Sequence, residues 1–204
     1  MADVQISASQ VKELRDKTGA GMMDCKKALQ ETGGDLQAAE EFLRKQGISK
    51  AAKKVGRSAN EGLVYSYIHG GGRLGVLVEV NCETDFVART DDFQEFCNEI
   101  AMQVAAANPL FVGRDEVDDE LVEKEREIYA EAAKNEGKPD NVIERIVEGK
   151  IDKYYEQVCL LEQPYIRDTD KTVEELLKET IANLGENIQI ARFTRYELGE
   201  SPNE

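Results

Sequence analysis

The hydrophobic pattern predicts an α+β protein. Apolar residues recur at helical spacing over 7–47, alternate with period two over 62–82, and return to helical stripes before a last alternating run at 188–196. Such a mixture predicts one small antiparallel sheet with helices packed on one face. With 204 residues, 41% of them hydrophobic and 33% charged, the chain can fill one sizeable domain or a small one plus a medium one.

Residues 7–47 read as three short helices. "SASQ" offers a capping box, with Ser7 at the N-cap and Gln10 reaching back, before Val11 and Leu14. "TGAG" breaks this helix; Asp24 can cap the next, which Leu29 anchors. Asp35 caps a third, with Leu36, Ala39 and Leu43 at helical spacing, and Gly47 is expected to close it. The basic stretch 48–60, "ISKAAKKVGRSAN", reads as a short helical or irregular connector, either solvated or a contact strip for an acidic partner. From Gly62 to Cys82, Leu63, Tyr65 and Tyr67 alternate with Val64, Ser66 and Ile68, and Leu74, Val76, Val78 and Val80 share a face, which predicts an antiparallel hairpin.

A helix bearing Phe93, Cys97, Ile100 and Val104 follows, stopped at Asn108–Pro109. An acidic helix from about Asp118 ends at Gly137, and Pro139 starts another with Ile143, Val147, Ile151, Tyr154 and Val158 on one stripe. Two amphipathic helices joined by "EGKP" predict an antiparallel helical hairpin at about 116–160, protruding because its outer faces are so charged. Thr172 and Glu175 form a second capping box, Gly185 ends that helix, and Ile188–Tyr196 closes the chain as a strand.

The net charge is −15, yet residues 1–60 sum to about +3, leaving about −18 for the rest. The step suggests a small module over 1–55, its basic linker included, and a core over 56–204. An acidic body repels phosphate backbones, so no direct nucleic-acid partner is expected. No run of apolar residues is long enough to span a bilayer. "MADVQISASQ" has neither a basic start nor an apolar stretch, so a cytoplasmic location is expected. Cys25, Cys82, Cys97 and Cys159 lie far apart with no CxxC pair, which predicts reduced, mostly buried thiols.

The chemistry-bearing motifs are weak. "GGGRLG" (70–75) matches GxGxxG, but a strand follows where a phosphate-binding helix should open, so these glycines serve a turn. Glu83, Asp85, Asp91 and Asp92 could in principle hold a divalent cation, but they read better as acids at a helix N-terminus. His69 has no nucleophile or acid at diagnostic spacing, and no catalytic constellation is visible.

Two stretches stand apart. Met22 and Met23 follow a glycine turn, where helical packing can bury only one of them; adjacent methionines there suit an adaptable apolar contact, flanked by Arg15, Lys26 and Lys27. In "NCETDFVAR" (81–89), Phe86 lies seven residues before Phe93, which favours a core position if one helix runs through both. A helix capped by Thr84 or Asp85 would instead leave Phe86 in its first turn, at the sheet's edge and less covered. Taken without any resemblance, the periodicity favours the core reading.

"LRDKTGAGMMDCKKAL" (14–29) and "EVNCETDFVAR" (79–89) resemble the two signature segments of the elongation factor Ts family, and "DKTVEELL" (170–177) echoes a third, so the likeness spans essentially the whole chain. The resemblance implies a non-enzymatic guanine-nucleotide exchange factor for elongation factor Tu, without a cofactor or metal of its own. It further implies a three-helix module similar to ubiquitin-associated domains, which contacts the partner's nucleotide domain through Arg15, Met22, Met23 and Lys26. By the same resemblance Thr84, Asp85, Phe86 and Val87 lie against that domain, and the Phe enters between partner helices to disturb the magnesium site and phosphate loop. Longer members carry two related core modules; this chain has one, and short members are expected to form homodimers. The rival readings are a scaffold built on a three-helix adaptor and, more distantly, a metal-dependent hydrolase.

Overall fold

The computed structural model describes residues 6–200; the start of "MADVQISASQ", read above for a leader, lies outside them. In chain order the elements are α1 (Ala8–Thr18), α2 (Met22–Glu31), α3 (Leu36–Ala52), β1 (Glu61–His69), β2 (Leu74–Cys82), α4 (Asp85–Ala88), α5 (Asp91–Ala107), α6 (Asp119–Asn135), α7 (Asp140–Val158), β3 (Pro164–Tyr165), β4 (Asp168–Thr172), α8 (Val173–Leu184) and β5 (Ile188–Glu197). They fold as two compact units. One gathers the residues up to Gly62 with Asn81–Gln94 and Glu175–Gln189; the other holds Leu63–Val80, Glu95–Glu174 and the residues from Ile190.

In the first unit, α1 opens with the expected capping box: Gln10 N donates to Ser7 Oγ at 3.2 Å and Ser7 N to Gln10 Oε1 at 3.0 Å. Asp35 caps α3 by accepting from Ala38 N at 3.0 Å. The three helices close on Val11, Leu14, Cys25, Ala28, Leu29, Ala39 and Leu43, with Ile6, Ala20, Leu36 and Phe42 packed around them. Two expectations fail here. Asp24 is not the cap of α2, which starts two residues earlier behind Gly21 without a side-chain cap; its carboxylate pairs with Lys50 at 2.9 Å. Nor does Gly47 close α3, which runs on to Ala52.

The reason for the longer α3 is packing on α8. Arg44 pairs with Glu175 at 2.6 Å, a Cβ at Gly47 would stand 3.4 Å from Ala182, and Lys54 donates to Gly185 O. These contacts advance in the same sense along both helices, from Glu175 in the first turn of α8 to Gly185 at its end, and the missing side chain at Gly47 permits the close approach. The helix-weakening effect of a glycine, roughly 1 kcal/mol, is smaller than what such packing returns.

In the second unit, β1, β2 and β5 form a three-stranded sheet in that order. The four-residue link between β1 and β2 makes that pair antiparallel, and Leu198 N, just past β5, donates to Arg73 O at 2.8 Å, just before β2, so β5 is antiparallel as well. Val76, Val78 and Val80 are buried on one face, while Val64, Ile68 and Leu77 are exposed. Tyr65 OH donates to Asn98 Oδ1 of α5 at 3.4 Å, and Cys97, Ile100 and Val104 of that helix are buried. His69 takes a local partner, with Nδ1 2.8 Å from Tyr67 OH.

The acidic helices α6 and α7 flank a four-residue link and share a core of Val122, Ala133, Ile143, Val147 and Ile151, clasped outside by Arg126 and Glu148. The short ribbon β3–β4 has no signature in the sequence, because strands of two and five residues, the second polar throughout, show no apolar alternation. It is antiparallel and hangs on two polar residues of α5. Gln103 accepts from Ile166 N at 2.9 Å and donates to Pro164 O at 3.2 Å, and buried Glu99 accepts from Tyr165 OH and pairs with Arg167 at 3.0 Å. Burial, with the Glu99 contact second, pushes the Tyr165 phenol well above its ordinary range. All four cysteines are buried and none is in a disulfide; burial pushes the Cys159 thiol up to about 11. No helix among the described residues is long and apolar enough to cross a membrane.

Candidate partner-binding surface

Strand β2 ends at Cys82, and the chain turns through Glu83 and Thr84 into a single helical turn, α4. Thr84 is extended (φ −131°, ψ 152°) and caps that turn, its Oγ1 accepting from Val87 N at 3.4 Å. Asp85 pairs with Arg89 at 2.8 Å, one turn later. The helix then stops and restarts. Thr90 donates through Oγ1 to Val87 O at 2.7 Å and accepts from Phe93 N at 3.3 Å, which starts α5. Two capping threonines six residues apart therefore break the continuous helix that would have put Phe86 on the stripe of Phe93. Phe93 is fully buried, whereas Phe86 is 79% exposed. The core reading of Phe86 is wrong, and Ala88, at 4% exposure, is the residue that anchors the turn.

The turn is braced from Gly185–Asn187, at the far end of α8. The Glu186 carboxylate accepts from Glu83 N at 3.1 Å, Thr84 N at 3.0 Å and Thr84 Oγ1 at 2.7 Å. In return Glu83 Oε1 accepts from Asn187 N at 2.6 Å. Asn187, itself buried, donates through Nδ2 to Arg57 O at 2.8 Å, and the Arg57 guanidinium stands 3.6 Å from Glu83. The basic connector is thus largely spent on internal ties through Lys50, Lys54 and Arg57. Cys82 Sγ donates to Thr84 O at 3.2 Å, and burial raises its pKa. Sequence reasoning missed Glu186, Asn187 and Arg57. Each lies far along the chain from the turn it holds, and only the "EN" (186–187) following the helix-ending Gly185 could have drawn notice.

Met22 and Met23 open α2 at 60% and 75% exposure, so neither is absorbed by the helices beside it. Arg15 and Lys26 are exposed on the same three-helix unit. Thr84, Asp85 and Val87 are half-buried around the displayed ring. Of the acids considered for a cation, Glu83 is engaged by Asn187 and Arg57 and Asp85 by Arg89. Among the described residues no three side chains of metal-ligating type converge.

A large apolar ring held out on a capped turn, and a methionine pair at an uncapped helix start, are features of proteins that act by binding another protein. A family model described as Elongation factor TS matches residues 44–200. Proteins named elongation factor Ts are similar over nearly the full chain. That of Thermoanaerobacter sp. (strain X514) is 65% identical over 96% of this chain and 96% of its own length. That of Desulforamulus reducens is 61% identical over 96% of this chain and 90% of its own. That of Geotalea uraniireducens is 59% identical over 97% and 91%. The chain belongs to the elongation factor Ts family. These alignments take in most of the N-terminal helices, which the family model does not.

Because Phe86 buries little, Phe86→Ala should change the free energy of unfolding by no more than about 0.5 kcal/mol, read from the urea midpoint at unchanged slope. A loss of about 3–5 kcal/mol would mark a core residue instead.

Proposed function

We propose that the chain is a guanine-nucleotide exchange factor for elongation factor Tu in which Phe86 is the intruding group. Family membership supports the exchange role, and the display of Phe86 on a fully braced turn is the observation that carries the mechanism. Thr84, Asp85, Phe86 and Val87 meet the partner's nucleotide domain, and the ring enters between partner helices, disturbing the magnesium site and phosphate loop. No covalent step is needed. A factor that binds nucleotide-free partner more tightly than GDP-bound partner weakens GDP by the same ratio, because linkage is reciprocal. Each tenfold loss of GDP affinity requires about 1.4 kcal/mol of differential binding. Burying one Phe ring supplies roughly 1.5–3 kcal/mol, enough for about one to two orders of magnitude. Releasing magnesium, which offsets phosphate charge, adds to this.

In this reading the module over 1–55, similar to ubiquitin-associated domains, supplies affinity through Arg15, Met22, Met23 and Lys26. The core over 56–204 carries the intruding segment and a protruding helical hairpin. The factor works in the cytoplasm and needs no direct nucleic-acid contact. A second copy of the chain completes the single core. The exposed Ile68, Leu77, Tyr196 and Leu198, which line one groove of the sheet, support that pairing.

Phe86→Ala should retain most of the binding to the GDP-bound partner but slow GDP release from elongation factor Tu at saturating factor by about 10- to 100-fold; release as fast as with the parent would refute the intrusion. Met22→Ala with Met23→Ala should raise the dissociation constant about tenfold or more, and unchanged titration binding would count against a contact there. Sedimentation at micromolar concentration should give twice the chain mass, whereas a monomer would remove the homodimer from the reading.

A further inference from the structure

We propose that Glu186 is a positioning residue for exchange, which aims the Phe86 ring through the backbone of Glu83 and Thr84; the inference rests on the reading of Phe86 as the intruding group. Its carboxylate takes three bonds from the two residues immediately before α4. Oε2 accepts both backbone N–H groups, at 3.1 and 3.0 Å, and Oε1 accepts the Thr84 hydroxyl at 2.7 Å. A hydroxyl has one proton to give. Thr84 Oγ1 gives that proton to Glu186 and accepts from Val87 N, the first turn of α4. The carboxylate therefore fixes the hydroxyl's orientation, and the hydroxyl fixes the start of the helix that bears Phe86.

The arrangement fits aim better than bulk stability. Helix α4 is four residues long, too short to hold its own direction by hydrogen bonding. Phe86 is the second of those residues and buries little that could locate it. Its direction is set by the buried Ala88 on one side and by what precedes Asp85 on the other, where charge-assisted bonds give rigid, directional restraint. Glu186 is itself held. It follows Gly185, whose left-handed backbone (φ +80°) ends α8 and whose carbonyl accepts from Lys54. Asn187, next along, returns a bond to Glu83 at 2.6 Å. A misplacement of about 1 Å at a reacting or intruding group can change a rate by up to about 100-fold, so loosening this clamp should be felt in exchange before it is felt in partner affinity.

The test is stopped-flow release of labelled GDP from elongation factor Tu by the full chain, with Glu186→Ala, Glu186→Gln, Phe86→Ala and the Glu186→Ala/Phe86→Ala pair. Glu186→Ala should slow release at saturation on the order of tenfold, with less than about a twofold change in the half-saturating concentration. Glu186→Gln, whose single oxygen can accept both N–H groups but whose amide NH2 cannot accept the Thr84 hydroxyl, should recover part of the rate. In the Phe86→Ala background, Glu186→Ala should slow release less than about twofold, because the two act as one unit. Parent-like release by Glu186→Ala overturns the inference, as does an equal slowing in both backgrounds, which marks a merely structural residue. If Phe86→Ala alone releases GDP at the parent rate, the underlying reading fails instead. Should Glu186→Ala not fold, hydrogen exchange of the parent decides: the Glu83 and Thr84 amides should exchange at least about 100-fold slower than in an unstructured peptide. Exchange at the peptide rate would show that the clamp does not hold in solution.

Discussion

The exchange of carboxylates between residues 83–84 and 186–187 is the contact on which the candidate surface depends. Each acidic side chain satisfies the backbone of the opposite segment, across 102 to 104 residues of sequence. Hydrogen bonds to charged acceptors contribute about 1.5–3 kcal/mol each, more than neutral ones, and here they converge on two residues at the exit of a strand. That convergence is why a compact unit can include a three-helix bundle, a one-turn helix and the end of a distant helix at once. Without it, the exit of β2 would be an ordinary loop with two unsatisfied donors.

Displaying Phe86 forgoes stability. A buried phenylalanine would add roughly 1.5–3 kcal/mol to folding; at 79% exposure most of that is left to be gained on a partner. The same holds for Met22 and Met23, though their flexible side chains adapt to a surface, whereas a ring on a clamped turn offers one fixed shape. In the proposed reading the two apolar features take different tasks: adaptable affinity in the three-helix bundle, and directed intrusion at the turn. Rigidity matters for the second because a mobile ring would lose much of its binding free energy to ordering on the partner.

Much of the architecture is legible in the sequence, where its causes are local. Ser7 with Gln10 and Asp35 with Ala38 act within three residues, and the helical stripes through Leu14, Leu29 and Leu43, or Cys97, Ile100 and Val104, follow the helix period. What is illegible depends on remote partners. Gly47 reads as a helix stop until α8 lies against it. The helical stripe does not mark Glu99 and Gln103, which are buried beneath a ribbon with no pattern of its own. Phe86 is ambiguous because its spacing from Phe93 assumes one helix, and the restart at Thr90 is visible only in the hydrogen bonds. The residues of the signature segment can be found by resemblance; the side chains that hold them, Glu186 and Asn187 above all, cannot be found by spacing.

The central claim is that Phe86 binds the nucleotide-free partner better than the GDP-bound one, and that this difference is what expels GDP. Calorimetric titration of both states of elongation factor Tu measures it directly, as the ratio of the factor's two dissociation constants. Replacing Phe86 with alanine should compress that ratio by about 10- to 100-fold, mainly through weaker binding to the nucleotide-free state. An unchanged ratio, with both affinities lowered alike, would make Phe86 a simple anchor and contradict the account.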